Sequence, residues 1–386
     1  MKKRFLSLLL AVLLTLAALI PVSALAASKT PVWDKYEKKG THKVSSFTFH
    51  LDETGYDYKV WYPKDIAKMS KRPVLLYCNA SGFNYENAPN TNKILETAAS
   101  RGYIVLNNTD KMTGSGVSMD AGFTYLRKLN KKKSSVLYGK INLKKVVLAG
   151  HSQGCNCAVN MADATTYTNA KYYKAIFAAS LPSQSVSKNG QYDPANVTIP
   201  CLLIGGTSGF MESYTCPLEE SLQANQKAIN SDVVIARMTG VDHASSFEKT
   251  YPYMLAWFDY QLNGNKKAGK AFFGAKPEMK TNEKWQDYNA KVYLTKNAIT
   301  ALTGKKKTVT VTYSASEGAG GYEVQYATDA AFKTKKTLTV SDAAKLTAKI
   351  TKLTAGKKYY VRVRAYRTVC GKKYYASWSA KKNVQL

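Results

Sequence analysis

Lys145-Val146-Val147-Leu148-Ala149-Gly150-His151-Ser152-Gln153-Gly154-Cys155-Asn156-Cys157-Ala158-Val159-Asn160-Met161 is the stretch that decides the fold of this chain. Its first third is a continuous apolar run, the pattern of a strand buried on both faces. From Cys157 the residues favour a helix. Between the two stands Gly150-His151-Ser152-Gln153-Gly154, a G-x-S-x-G. That spacing predicts a sharp strand-to-helix turn, with the serine hydroxyl lifted clear of the sheet and the helix N-terminus beneath it. The glycines let neighbouring backbone come close. Five residues can match by chance, but a buried strand before them and a helix after them make the match specific. Ser152 is therefore the candidate nucleophile.

Working outward, Phe47–Leu51 and Tyr58–Pro63 alternate apolar with polar residues and read as paired opening strands. Pro73–Cys78, Tyr103–Leu106, Ala175–Ala179 and Pro200–Ile204 are short apolar runs, hence buried strands, and Val233–Ala236 is a further one. Helical spacing occupies Ile94–Ser100 and Met119–Leu129, and an amphipathic helix over Tyr253–Leu262 closes the series. Strands alternating with helices predict an α/β fold: a doubly wound, mostly parallel sheet covered on both faces. Composition changes after Phe273. Residues 274–295 are polar, hold Pro277 and show no clear periodicity, which reads as a linker or strap. From Lys296 the pattern is all β, with alternation in Thr308–Tyr313, Gly321–Tyr326 and Tyr360–Tyr366, so residues 296–386 should form a small β-sandwich.

A serine nucleophile needs a base, and this position in the chain calls for a histidine on a loop after the last strand. Only four histidines exist. His42 and His50 precede the sheet proper, and His151 adjoins the serine, its ring expected to point elsewhere. His243, in Gly240-Val241-Asp242-His243 just after a strand, remains. An oxyanion hole needs two backbone N–H groups. The N–H of Gln153, immediately after the nucleophile, is one; Ser81, in the loop Cys78-Asn79-Ala80-Ser81-Gly82-Phe83, is the favoured second, with Gly82 making room for substrate. The triad acid should follow the strand Pro200–Ile204. No Asp stands in Gly205-Gly206-Thr207-Ser208-Gly209-Phe210-Met211-Glu212, so Glu212 is the nearest carboxylate. Asp242 is a poor substitute, because a neighbouring side chain seldom reaches the ring's own Nδ1. Phe83, Tyr85 and Phe210 are candidates to line a cleft, with core packing as the alternative for each.

The N-terminus carries Lys2-Lys3-Arg4, an apolar run from Phe5 to Ile20, Pro21 and then Ser23-Ala24-Leu25-Ala26-Ala27. That layout predicts a signal peptide over residues 1–26, cut after Ala26, ahead of a domain over 27–273. An uncleaved anchor is the competing reading, for which the run is short. No second apolar run could span a membrane, so an exported protein is expected. The net charge of +30 becomes +27 once Lys2, Lys3 and Arg4 are removed. Residues 296–386 hold 19 Lys plus Arg against 4 Asp plus Glu, or +15, more than half of that excess. Such a balance suits acidic cell-wall or extracellular polysaccharide or a membrane surface, or it is a solubilising lysine coat. Basic residues interleaved with aromatics in a nucleic-acid module are not seen, so no nucleic-acid partner is expected. The six cysteines match no metal-site or disulfide-rich spacing, and buried free thiols are the simpler reading.

Residues from about 56 to 262 resemble the α/β-hydrolases that include cutinase-like bacterial polyester hydrolases, chlorophyllase-like and dienelactone-hydrolase-like enzymes. The segments that carry the resemblance are Arg72–Gly82, Ala98–Val105, Tyr138-Gly139-Lys140-Ile141 leading to Gly150–Gly154, and Ile199–Ile204. It implies ester hydrolysis through an acyl-enzyme, with no metal or cofactor. The chain departs from the pattern twice: Cys155 stands where a further Gly is usual, and Gly209 where that family carries its triad Asp. Residues 296–386 are similar to fibronectin type III domains of secreted bacterial enzymes, through Gly321–Tyr326, Leu353, Tyr359–Tyr366 and Trp378-Ser379, with Tyr313 where a Trp is common. The expectation is a secreted serine ester hydrolase. The rival expectations are a catalytically degenerate hydrolase serving as an adhesive surface protein, and the same scaffold cutting another bond, as a peptidase or lactonase does.

Overall fold

Alternate side chains of the same strand enter two different cores, and that division organises the larger part of the molecule. The computed structural model describes residues 29–187 and 191–386; the expected signal sequence lies outside them. After a short helix, α1 (Pro31–Glu37), come β1 (Val44–Leu51), β2 (Tyr56–Pro63) and β3 (Arg72–Cys78). Then follow α2 (Pro89–Ser100), β4 (Ile104–Asn108), α3 (Val117–Leu129), β5 (Ile141–His151), α4 (Gln153–Met161), β6 (Tyr173–Ala179) and β7 (Cys201–Gly206). The series continues through α5 (Phe210–Thr215), α6 (Ala224–Ala228), β8 (Val233–Met238), α7 (Ser246–Asn263), α8 (Lys266–Gly269) and α9 (Glu278–Thr281) to β9 (Trp285–Lys291).

These nine strands form one sheet in the order β1-β2-β4-β3-β5-β6-β7-β8-β9. The six central strands run parallel; β1, β2 and β9 are antiparallel to their neighbours. In β3, Val74, Leu76 and Cys78 join Phe123 of α3 and Val159 of α4 in one core. Leu75 and Tyr77 join Leu95 of α2 and Trp257 of α7 in the other. Strands with apolar residues on both faces need helices on both faces, and the chain supplies them. The expected mostly parallel, helix-covered sheet is what forms.

Residues 274–295 differ from the expected linker or strap. They contain α9 and β9, and β9 closes the sheet against β8. As an edge strand β9 needs only backbone pairing to hold it, so its side chains are mostly half-buried or exposed. A register shift opposite Ile235/Arg237, with Asp287 at φ 56°, breaks its alternation.

The C-terminal region is all antiparallel. One sheet has the order β10 (Ile299–Lys305), β11 (Thr308–Tyr313), then β14 (Thr347–Ile350). The other contains β12 (Gly321–Ala327), β13 (Lys336–Val340), β15 (Lys358–Val369), β16 (Lys372–Tyr375) and β17 (Lys382–Gln385). Val309, Val311, Tyr322, Val324, Val361 and Val363 bury the space between the sheets. Tyr313, at the position noted for its missing Trp, is buried and donates its hydroxyl to the Lys345 carbonyl at 3.0 Å. This region docks on the first through the β15–β16 hairpin. Val369 enters the α7-side core, Arg367 pairs with Asp232, and Tyr374 meets Phe273 and the Gly274 N–H. Asp232 directly precedes β8, so the docking lies at the N-terminal ends of the parallel strands.

All six cysteines are free thiols, and all but Cys370 are buried. Burial raises the pKa of Cys155 and Cys157 well above that of a free thiol, which makes them poor nucleophiles. Among the described residues no helix is long and apolar enough to cross a membrane.

Candidate active site

Ser152 sits at the N-cap of α4 with φ 53° and ψ −124°, a conformation L-residues rarely adopt. Neighbouring backbone enforces it. A Cβ on Gly150 would lie 2.2 Å from the Gly154 carbonyl oxygen, and one on Gly154 would lie 2.1 Å from that of Cys78. Only glycine lets β5, α4 and β3 approach this closely. The Ser152 N–H donates to Ala179 at 2.9 Å, which ties the turn to β6.

His243 follows β8, and its Nε2 lies 2.8 Å from Ser152 Oγ. Its Nδ1 lies 2.7 Å from Glu212 Oε2. A proton on Nδ1, donated to the carboxylate, leaves Nε2 free to accept the serine proton. Glu212 is 2% exposed, and its second oxygen accepts from the Gly206 N–H at 2.5 Å and lies 3.0 Å from the Ser180 hydroxyl. A carboxylate removed from water is costly unless hydrogen-bonded, and these contacts supply the bonds. Asp242 is engaged elsewhere: it accepts from the Ser245 hydroxyl at 2.5 Å and from the Ser245 N–H at 2.9 Å at the start of α7, and these bonds hold its pKa low.

Three of the five expected site residues thus lie in one hydrogen-bonded line. The other two, Ser81 and Gln153, line the same cleft as Ser152 and His243, a cavity of about 690 Å³. Gln153 opens α4, where helix N–H groups point back toward the turn. The loop bearing Ser81 is pinned at its base: Asn79 Nδ2 donates to the Asn108 and Asp110 carbonyls at 2.9 Å each, and Gly82 N–H to Lys111 at 3.0 Å. Gly82 has φ 80° and open space beside it, which fits the expected room for substrate.

Other placements depart from expectation. The His151 ring, expected to point elsewhere, faces the cleft and donates from Nε2 to the His243 carbonyl at 2.7 Å. It stands where the loops after β5 and β8 converge. Burial, and next the neighbouring His243, push its pKa down to about 4, so the ring is neutral. Phe83 lines the cleft, but Tyr85 packs edge-on against Trp61, and the largely exposed Phe210 stacks on Tyr214 beyond the lining. Met112 and Met211, half-exposed at the cleft, complete the apolar mouth. Met112 stands alone in a loop and Met211 lies in the short helix α5, so neither gave a periodic signal in sequence. Among the described residues no group of three His, Cys, Asp or Glu is placed to hold a metal ion. No family model matches the chain, and no curated protein matches it.

Proposed function

We propose that this protein is an exported serine carboxylic ester hydrolase with an α/β-hydrolase fold, followed by a fibronectin type III-like domain. The observation that carries the reading is the continuous line from Ser152 Oγ through the His243 ring to the buried Glu212 carboxylate. Ser152 attacks the ester carbonyl while His243 Nε2 takes its proton. The N–H groups of Gln153 and Ser81 stabilise the oxyanion. His243 then protonates the departing alcohol, leaving an acyl-enzyme. Water, deprotonated by the same Nε2, releases the acid. Glu212 holds the ring in the productive tautomer and stabilises the imidazolium.

Incubation with a fluorophosphonate probe and with short p-nitrophenyl esters tests this directly. The wild-type protein should label and turn over. Ser152→Ala should not label and should lose roughly 10³-fold or more in kcat. Full activity in Ser152→Ala would end the proposal. The degenerate-hydrolase alternative rests on the missing Asp and on the basic β-sandwich; the Glu212–His243 contact weakens the first motive and does not touch the second. A peptide or lactone panel run beside the esters separates the remaining bond types. For the basic C-terminal region, we propose acidic cell-wall or extracellular polysaccharide as the partner.

A further inference from the structure

A second cavity, of about 340 Å³, adjoins the active-site cleft and shares two of its lining residues, Asn90 and Glu248. It lies off the top of the sheet, over the helical layer of α1, α2 and α7. Asn90 Nδ2 donates to Glu248 Oε2 at 3.2 Å, so the two residues form a common rim between α2 and α7. The far wall is the end of α1 with Glu37 and Lys39, held against α7 by the bond from the Tyr251 hydroxyl to the Glu37 carbonyl at 2.7 Å. Lys93 lines the α2 side, and Ile94 provides a buried apolar base.

The accessible lining of both cavities is mostly apolar, and charged residues are what set the second apart. Beside Ser152 the mouth carries Phe83, Met112 and Met211, all more than half exposed. Four of the eight residues that line the second cavity are charged, two glutamates and two lysines, beside Asn90, Thr97 and Tyr251. Its formal charge balances, two against two, in a chain whose net charge is +30. It is therefore no anion trap. An acyl chain laid there would strip water from charged groups and return no hydrogen bonds. A chain of neutral hydroxyls both accepts from the ammonium and amide groups and donates to the carboxylates.

Resting on the ester-hydrolase reading above, we propose that this cavity is the leaving-group subsite for a neutral oligosaccharide carrying an ester. The acyl group faces the apolar mouth, and the sugar chain extends across the Asn90–Glu248 rim. Ser152 Oγ bonds to the acyl carbon, the bond from that carbon to the sugar oxygen breaks, and that oxygen takes the proton from His243. Water then converts the acyl-enzyme to carboxylic acid and free serine.

The test compares kcat/KM for acetylated mono-, di- and tetrasaccharides of neutral sugars with that for p-nitrophenyl acetate. Wild type, Lys93→Ala and Lys39→Ala are used, with melting temperatures to confirm folding. Both lysines are exposed, so the substitutions spare the core. In wild type kcat/KM should rise about tenfold from monosaccharide to tetrasaccharide, and in either variant that ratio should fall toward unity. A flat series in a protein that cleaves p-nitrophenyl acetate overturns the subsite and leaves the esterase reading standing. Preference for acetylated uronic-acid chains or for lipid esters over neutral saccharides overturns it equally. Absence of turnover on every ester, together with no labelling of Ser152, removes both.

Discussion

At Gly209 the backbone has φ 82° and ψ 149°, a region essentially reserved for glycine. An aspartate cannot occupy that position without strain, and the carboxylate comes instead from Glu212, one turn into α5. In the proposed mechanism, Glu212→Gln keeps the volume but removes the charge that would stabilise the imidazolium and favour its productive tautomer. Its kcat on p-nitrophenyl acetate should drop by about 10³-fold. Adding Gly209→Asp to that variant should restore nothing; recovery of activity would show the acid's site to be adaptable. His151 carries a second residue-scale expectation. Its folded pKa of about 4 lies below the ordinary histidine value of 6.5, so the unfolded chain binds the proton more readily. Its neutral-state stability is present in full above pH 6.5 and is lost as pH falls toward 4. Thermal melts over that window should show wild type losing stability more steeply than His151→Gln.

Among the elements, the contact of β3 with α4 through Gly154 sets the precision of the turn. The Cys78 carbonyl that a Gly154 Cβ would strike is backbone and cannot swing away. Gly154→Ala should cost about 3 kcal/mol or more by denaturant unfolding, at the upper end for overpacking. Gly55→Ala, at φ 70° with open space around it, should cost only about 1 kcal/mol. Equal losses in the two would refute the steric account. The strand β9 shows the opposite relation between sequence and structure. Trp285 is its one buried residue, and pairing to β8 rather than patterning makes it a strand.

For the whole molecule, docking through Arg367, Val369 and Tyr374 places the β-region at the end of the sheet opposite Ser152. The cleft and the basic region therefore lie at opposite ends of the sheet, so the proposed attachment of the second to an acidic surface would leave the first open. Binding to an acidic polysaccharide matrix should weaken steeply as salt rises, because exposed charges are screened. Salt-insensitive retention, or retention unaffected by removing positive charge from the lysines of residues 296–386, would contradict this electrostatic account.

Strand order in time, the serine turn and the histidine were legible in the sequence because they depend on local pattern: continuous apolar runs, paired glycines, and a single histidine in the right place. The acid could be named only as the nearest carboxylate. Its burial, its bonds to Gly206 and Ser180 and its reach to Nδ1 depend on how α5 packs beneath the loop after β8. The inward His151 ring, the ninth strand and the second cavity were invisible for the same reason. Each is made by residues far apart in the chain, and only close packing of separate elements brings them together.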